Sequence, residues 1–109
     1  MNYLFICTQN IHRSPTAEKV FREMLQEKNL PGEVKSARVS PDAPKHINDK
    51  LLRWADKIFC MEEEHKTYLS YLLPEIEHKI VVLNIPDRYR RDDPELVRLL
   101  RAKLSSEIG

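Results

Sequence analysis

The sequence predicts an α/β fold, a three-layer sandwich in which a parallel sheet is flanked by helices. Two observations carry this. Four short strand-like runs, at residues 3–6, 34–39, 58–61 and 79–83, recur along the 109-residue chain, the second alternating and the others largely apolar. Between them lie longer segments whose apolar residues recur at helical spacing. Strands separated by helices form parallel sheets, because a parallel connection needs a crossover and the helix supplies it.

Each element follows from local chemistry. Tyr3-Leu4-Phe5-Ile6 is aromatic and branched, the composition of a buried strand. After a loop, Ser14-Pro15-Thr16-Ala17-Glu18 starts a helix. Ser14 or Thr16 can cap it, Pro15 suits a first helical position, and Glu18 is a first-turn acid. Ala17, Val20, Phe21, Met24 and Leu25 form its apolar stripe, which ends before Pro31-Gly32. Residues 34–39 alternate as a second strand, and Ser40-Pro41-Asp42-Ala43-Pro44 is a loop. Asn48 begins a helix with Leu51, Leu52, Trp54 and Ala55, and Trp54 is expected in the core. Ile58-Phe59-Cys60-Met61 is a third strand. Residues 62–73 follow as a helix whose start suits Glu62-Glu63-Glu64, and residues 79–83 form the fourth strand. Asp93 reads as the N-cap of a last helix over residues 95–104, with Leu96, Val97, Leu99, Leu100 and Leu104 inward. At 41% hydrophobic content, residues 1–109 are expected to form one domain with a core that needs no disulfide.

Cys7 and Arg13 are separated by five residues, between a strand and a helix. Such a loop can curl into a cup, with the backbone N–H groups of Thr8, Gln9, Asn10, Ile11 and His12 turned inward and the helix N-terminus adding its positive end. Arg13 closes the cup with a planar fork matched to two phosphate oxygens. Cys7 lies at its floor, where N–H groups, guanidinium and helix dipole all favour the thiolate. The expected Cys7 is a nucleophile facing phosphate.

The segment Cys7-Thr8-Gln9-Asn10-Ile11-His12-Arg13-Ser14 resembles the signature of the low molecular weight protein tyrosine phosphatases, approximately Cys-x-Gly-Asn-x-Cys-Arg-Ser. Cys7, Asn10, Arg13 and Ser14 match. Ser36-Ala37 resembles that family's Ser-Ala-Gly segment, Ala55-Asp56-Lys57-Ile58 its strand entry, and residues 83–89 its acid loop. The resemblance implies strand order 2-1-3-4. It also implies attack of Cys7 on phosphorus to give a phosphocysteine, with Arg13 on the equatorial oxygens. Asn10 would support the loop backbone and Ser14 would donate its hydroxyl to the thiolate. The leaving group needs an acid, which the family takes from an Asp-Pro-Tyr or Asp-Pro-Phe loop. Asp87 is the first candidate, since it follows the fourth strand most closely; Asp92 and Asp93 are alternatives. Tyr89 falls where the family places an aromatic wall. The implied partners are therefore a phosphotyrosine-containing protein or small aryl phosphate, and phosphate-like anions. Cys7 and Asp87 both follow strand carboxyl ends, where sheets of this kind bind ligands. Gln9 departs from a glycine, His12 from a second cysteine that can protect the nucleophile as a disulfide, and Arg88 from a proline. The chain is also shorter than typical members around the pocket rim.

The remaining composition bounds the alternatives. Eighteen basic against 17 acidic residues, net +1, leave no basic stripe for nucleic acid, although Arg88, Arg90 and Arg91 cluster beside the acid loop. No apolar run is long enough for a membrane span or a secretory leader. Two cysteines suit a reducing compartment, and a cytoplasmic location is expected. His46, His65 and His78 lack metal-ligand spacing, and no metal or cofactor is expected. Cys60 is either an inert buried thiol or a redox partner of Cys7. Two other activities use the same loop: arsenate reduction, for which Cys60 would have to resolve the Cys7 adduct, and a phosphoprotein-binding module without a working acid.

Overall fold

A computed structural model describes residues 1–8, 12–39 and 46–108. In chain order it contains β1 (Asn2–Cys7), α1 (Arg13–Glu27), β2 (Glu33–Arg38), α2 (Asp49–Trp54), β3 (Lys57–Cys60), α3 (Glu63–Leu72), β4 (Ile80–Val82) and α4 (Pro94–Leu104). Two short 3₁₀ turns, Pro74–Lys79 and Ser105–Glu107, were not foreseen. The strands form one sheet, parallel at every pairing and ordered β2-β1-β3-β4, as expected.

Strand alternation divides the core between the two faces of this sheet. Tyr3, Phe5 and Cys7 of β1, with Phe59 of β3, pack against Val20 and Phe21 of α1 and Leu96, Leu100 and Leu104 of α4. The rings interlock there, Tyr3 edge-on to Phe21 at 4.6 Å and Phe5 stacked on Phe59 at 4.9 Å between centroids. Leu4 and Ile6 of β1 and Ile58 and Cys60 of β3 face the other way, against Leu52 of α2 and Leu69 of α3. The register Ile6↔Cys60 makes the two cysteines differ by one residue in phase. They therefore occupy opposite faces.

The helix ends show where local signals were overridden. α1 begins at Arg13, so neither Ser14 nor Thr16 caps it. His12 holds the N-cap position without a side-chain cap bond, and the Thr16 hydroxyl turns back to donate to the His12 carbonyl at 2.7 Å. Asn48 and Asp93 do cap α2 and α4, accepting from Leu51 N–H at 2.8 Å and Glu95 N–H at 2.9 Å. Trp54 is only partly buried at the edge of the second cluster, with Lys35 Nζ 4.4 Å from its ring centroid. On α4 the fully buried stripe narrows to Leu96, Leu100 and Leu104, with Val97 and Leu99 beside it. Among the described residues no helix is long and apolar enough to cross a membrane.

Candidate active site

The carboxyl ends of β1, β3 and β4 bring together Cys7, Glu62 and Asp87, and the start of α1 adds Arg13. Cys7 is 3% exposed at the end of β1. Gln9, Asn10 and Ile11 lie outside the described residues, so the cup itself is represented by its flanks, Thr8 and His12. His12 Nδ1 accepts from the Arg91 N–H at 3.2 Å, which ties that flank to the segment after the acid loop.

Arg13 is 2% exposed and its orientation is fixed from one side. Nη1 donates to Glu62 Oε2 and to the Ile85 carbonyl, both at 2.8 Å. Those bonds use both hydrogens of Nη1. Nε and Nη2 remain as the two-pronged edge that binds an oxyanion, and Asp87 Oδ1 lies 3.6 Å from Nε.

Glu62 is itself anchored. It directly precedes α3, and its N–H donates to His65 Nδ1 at 3.1 Å. That acceptor role places the proton of neutral His65 on Nε2, which lies 3.0 Å from Thr8 Oγ1 and donates to it. Burial first, and then the Arg13 charge, hold His65 below its ordinary pKa, which keeps the ring neutral. A continuous chain of contacts thus runs from Thr8 through His65, Glu62 and Arg13 to Asp87. Neither Glu62 nor His65 was identified from sequence. The available signal was position: Glu62 follows β3 by one residue after Met61, at the same sheet end as Cys7.

The acid loop is delivered by backbone geometry. Asn84 takes φ 56°, a left-handed conformation that asparagine tolerates, and turns the chain out of the sheet. Ile85 is fully buried and donates its N–H to the Met61 carbonyl at 2.8 Å. Of the three candidate carboxylates, Asp87 is the one brought to Arg13. Asp92 instead donates its N–H to Thr16 Oγ1 and pairs with Lys19 at 3.6 Å, and Asp93 caps α4.

Two further residues sit differently from their implied roles. Ser14 Oγ is buried with no hydrogen-bond partner among the described residues, so its implied bond to the thiolate is not formed here. Tyr89 is 9% exposed and belongs to the core cluster that includes Phe21 of α1 and Leu96 of α4. Arg88 covers it, donating to Tyr89 Oη at 3.3 Å with its guanidinium 5.3 Å from the ring centroid.

Cys60 is fully buried on the face away from Cys7, and burial, then the Glu63 charge, push its thiol up to about 12. A redox or resolving partnership with Cys7 would need a thiolate on the same face. Glu62, Glu64 and His65 have potential metal-ligand atoms within 4.8 Å of one another. Glu62 already holds Arg13, and both His65 nitrogens are bonded, so metal binding would dismantle the contacts just described.

Comparison with known proteins agrees with this geometry. The family model described as low molecular weight phosphotyrosine protein phosphatase matches residues 2–50. The low molecular weight protein-tyrosine-phosphatase Etp of Escherichia coli (strain K12) is 29% identical, over 81% of this chain and 77% of that protein. The protein-arginine-phosphatase of Bacillus subtilis (strain 168) is 28% identical, over 76% of this chain and 70% of its own length. Among solved structures, a low molecular weight protein tyrosine phosphatase from T. tengcongensis superposes with a TM-score of 0.76 at 25% identity, covering 99% of each chain.

Proposed function

We propose that the chain, whose residues 2–50 match the model of the low molecular weight phosphotyrosine protein phosphatase family, is a member of that family and a cysteine-dependent phosphomonoester hydrolase acting on phosphotyrosine in proteins. It works as a single domain in a reducing, cytoplasmic setting and needs no metal. The observation that carries the reading is the arrangement of Arg13: Nη1 is tied back by Glu62 and Ile85, and its free edge lies beside Asp87.

In this mechanism the Cys7 sulfur attacks phosphorus as the bond to the leaving oxygen breaks, and protonated Asp87 gives its proton to that oxygen. The Nε/Nη2 edge of Arg13, with the N–H groups that the sequence offers between Cys7 and Arg13, holds the equatorial oxygens, over which the phosphoryl charge is spread in the transition state. Asp87, now a carboxylate, takes a proton from water as that water attacks the phosphocysteine. Phosphate leaves, and the Cys7 thiolate is restored. In this mechanism Ser14, whose hydroxyl has no partner among the described residues, turns to donate to the Cys7 thiolate.

Phosphoarginine in proteins is the second substrate reading. It is favoured by the burial of Tyr89, which leaves little ring surface to flank an aryl group, and by the name of the Bacillus subtilis relative. Phosphate release from para-nitrophenyl phosphate, a phosphotyrosine peptide and a phosphoarginine peptide between about pH 5 and 8 tests both readings. The account expects release that disappears in Cys7→Ser, with the peptide that turns over faster naming the substrate. A folded parent that binds phosphotyrosine peptide and releases no phosphate from any of the three contradicts the hydrolase reading in favour of a binding module.

A further inference from the structure

Arg38 is the last residue of β2 and lies in register with Cys7. Its backbone is fixed there: the Val39 N–H donates to the Cys7 carbonyl at 3.1 Å, and the Arg38 carbonyl accepts from the Ile47 N–H at 3.0 Å. Two residues earlier on the same face, Ser36 donates to Glu18 on α1, and Val34 packs in the cluster that contains Cys7. Strand alternation therefore turns Arg38 toward the α1 side, the side of Cys7.

The guanidinium is 1% exposed, and Nε, Nη1 and Nη2 are all buried with no hydrogen-bond partner among the described residues. Arginine does not escape such a position by losing its proton, and a buried charge without a counterion is strongly unfavourable. Among the described residues, Glu18 is the carboxylate that β2 contacts on that face, and it is already held by Arg22 at 2.7 Å and by Ser36. Ser14 Oγ, at the start of α1, is a second buried donor without a partner among the described residues. One group from β2 and one from α1 thus wait for an acceptor at the end of the sheet where Cys7 sits. In the Ser-Ala-Gly segment that Ser36-Ala37 resembles, the third position carries no side chain. The extra cation is a feature of this chain.

Building on the reading of Cys7 as the nucleophile, we propose that Arg38 is a second guanidinium of the phosphate site, compensated by negative charge at Cys7: the thiolate in the free protein and the phosphoryl dianion when one is bound. Arg13 holds that charge from α1 and Arg38 from β2. Among the described residues, the other ionisable groups at this end of the sheet include His46, which bridges to Arg38 through the backbone, His12, Glu62, neutral His65 and Asp87. Glu62 is tied to Arg13, and Asp87 lies beside it, so neither neutralises Arg38.

The test uses the whole chain in a Cys60→Ala background, so that one thiol is observed, and reads iodoacetamide alkylation of Cys7 against pH together with inorganic phosphate affinity by calorimetry. Arg38→Met should move the alkylation midpoint upward by about one pH unit and weaken phosphate about tenfold. Its melting temperature should not fall. Arg38→Lys, which keeps the charge and loses the fork, should recover most of the alkylation shift and less of the phosphate affinity. A folded Arg38→Met that alkylates with the parent's profile and binds phosphate as tightly overturns the proposal. If the methionine variant does not fold, Arg38→Gln is held to the same two outcomes. Neither readout requires turnover, so a parent that hydrolyses nothing overturns the hydrolase reading alone, and the alkylation profiles still decide Arg38.

Discussion

The two cysteines of this chain lie on neighbouring strands, a single residue apart in phase, and face contrasting surroundings. Cys7 ends β1 on the face shared with α1, where Arg38 is its register partner and Arg13 opens the next helix. Cys60 ends β3 beside Ile6, on the face shared with α2 and α3, in an apolar cluster where burial pushes its thiol up to about 12. Residue type, exposure and strand end are nearly the same. The difference comes from the pleat, which sends consecutive residues to opposite faces, and from the helix that each face meets. A thiol becomes a nucleophile when cations and donors surround it, and stays a small hydrophobic side chain when they do not.

The largest effect should come from removing the reactive member. Cys7→Ser should lower phosphate release by about 10⁴-fold or more in steady-state assays, because the serine hydroxyl has no thiolate equivalent at neutral pH. Cys60→Ala should leave turnover unchanged in the same assay, which is the sharpest form of the contrast. Asp87→Asn should cost about 10²-fold in kcat and flatten one limb of the pH profile. An unaltered profile would transfer the acid role to another group. Glu62→Gln should lower kcat/KM about tenfold in the same assay, as Arg13 loses the charged partner that fixes its orientation.

Smaller effects concern stability. Cys60→Ser should destabilise the fold by about 1–3 kcal/mol in urea unfolding, since it buries a hydroxyl in an apolar cluster. His65 supplies a pH dependence whose sign follows from its depressed pKa. The folded protein keeps the ring neutral, while the unfolded chain binds a proton near pH 6.5, about the ordinary histidine value. The stability it contributes is complete above that pH and is lost as pH falls through the folded-state value. Urea midpoints measured from pH 7.5 down to 5 should fall less steeply in His65→Gln than in the parent.

Much of the fold was legible because it rests on local patterns. The apolar strands, the helical stripes and the caps at Asn48 and Asp93 all lie in short windows. The site was legible only where its chemistry is contiguous, as from Cys7 to Arg13. Asp87 could be ranked above Asp92 and Asp93 from its distance to the fourth strand, and of those three carboxylates it is the one paired with Arg13, at 3.6 Å. Glu62 and His65 escaped because their partners, Arg13 and Thr8, are 49 and 57 residues away. A triple glutamate before a helix has a sufficient local explanation in the helix dipole. Arg38 escaped for a related reason. A charged residue at a strand end looks like solvent-facing punctuation, and only its parity with Val34 and Ser36 signals that it points into the protein.

The most direct measurement is rapid quenching of the parent during turnover of an aryl phosphate, followed by peptide mapping for a phosphoryl group on sulfur. The account predicts one phosphoryl group on the peptide containing Cys7, formed faster than turnover and absent from the peptide containing Cys60. Turnover with no phosphocysteine at Cys7, or with the phosphoryl group on another residue, would contradict it.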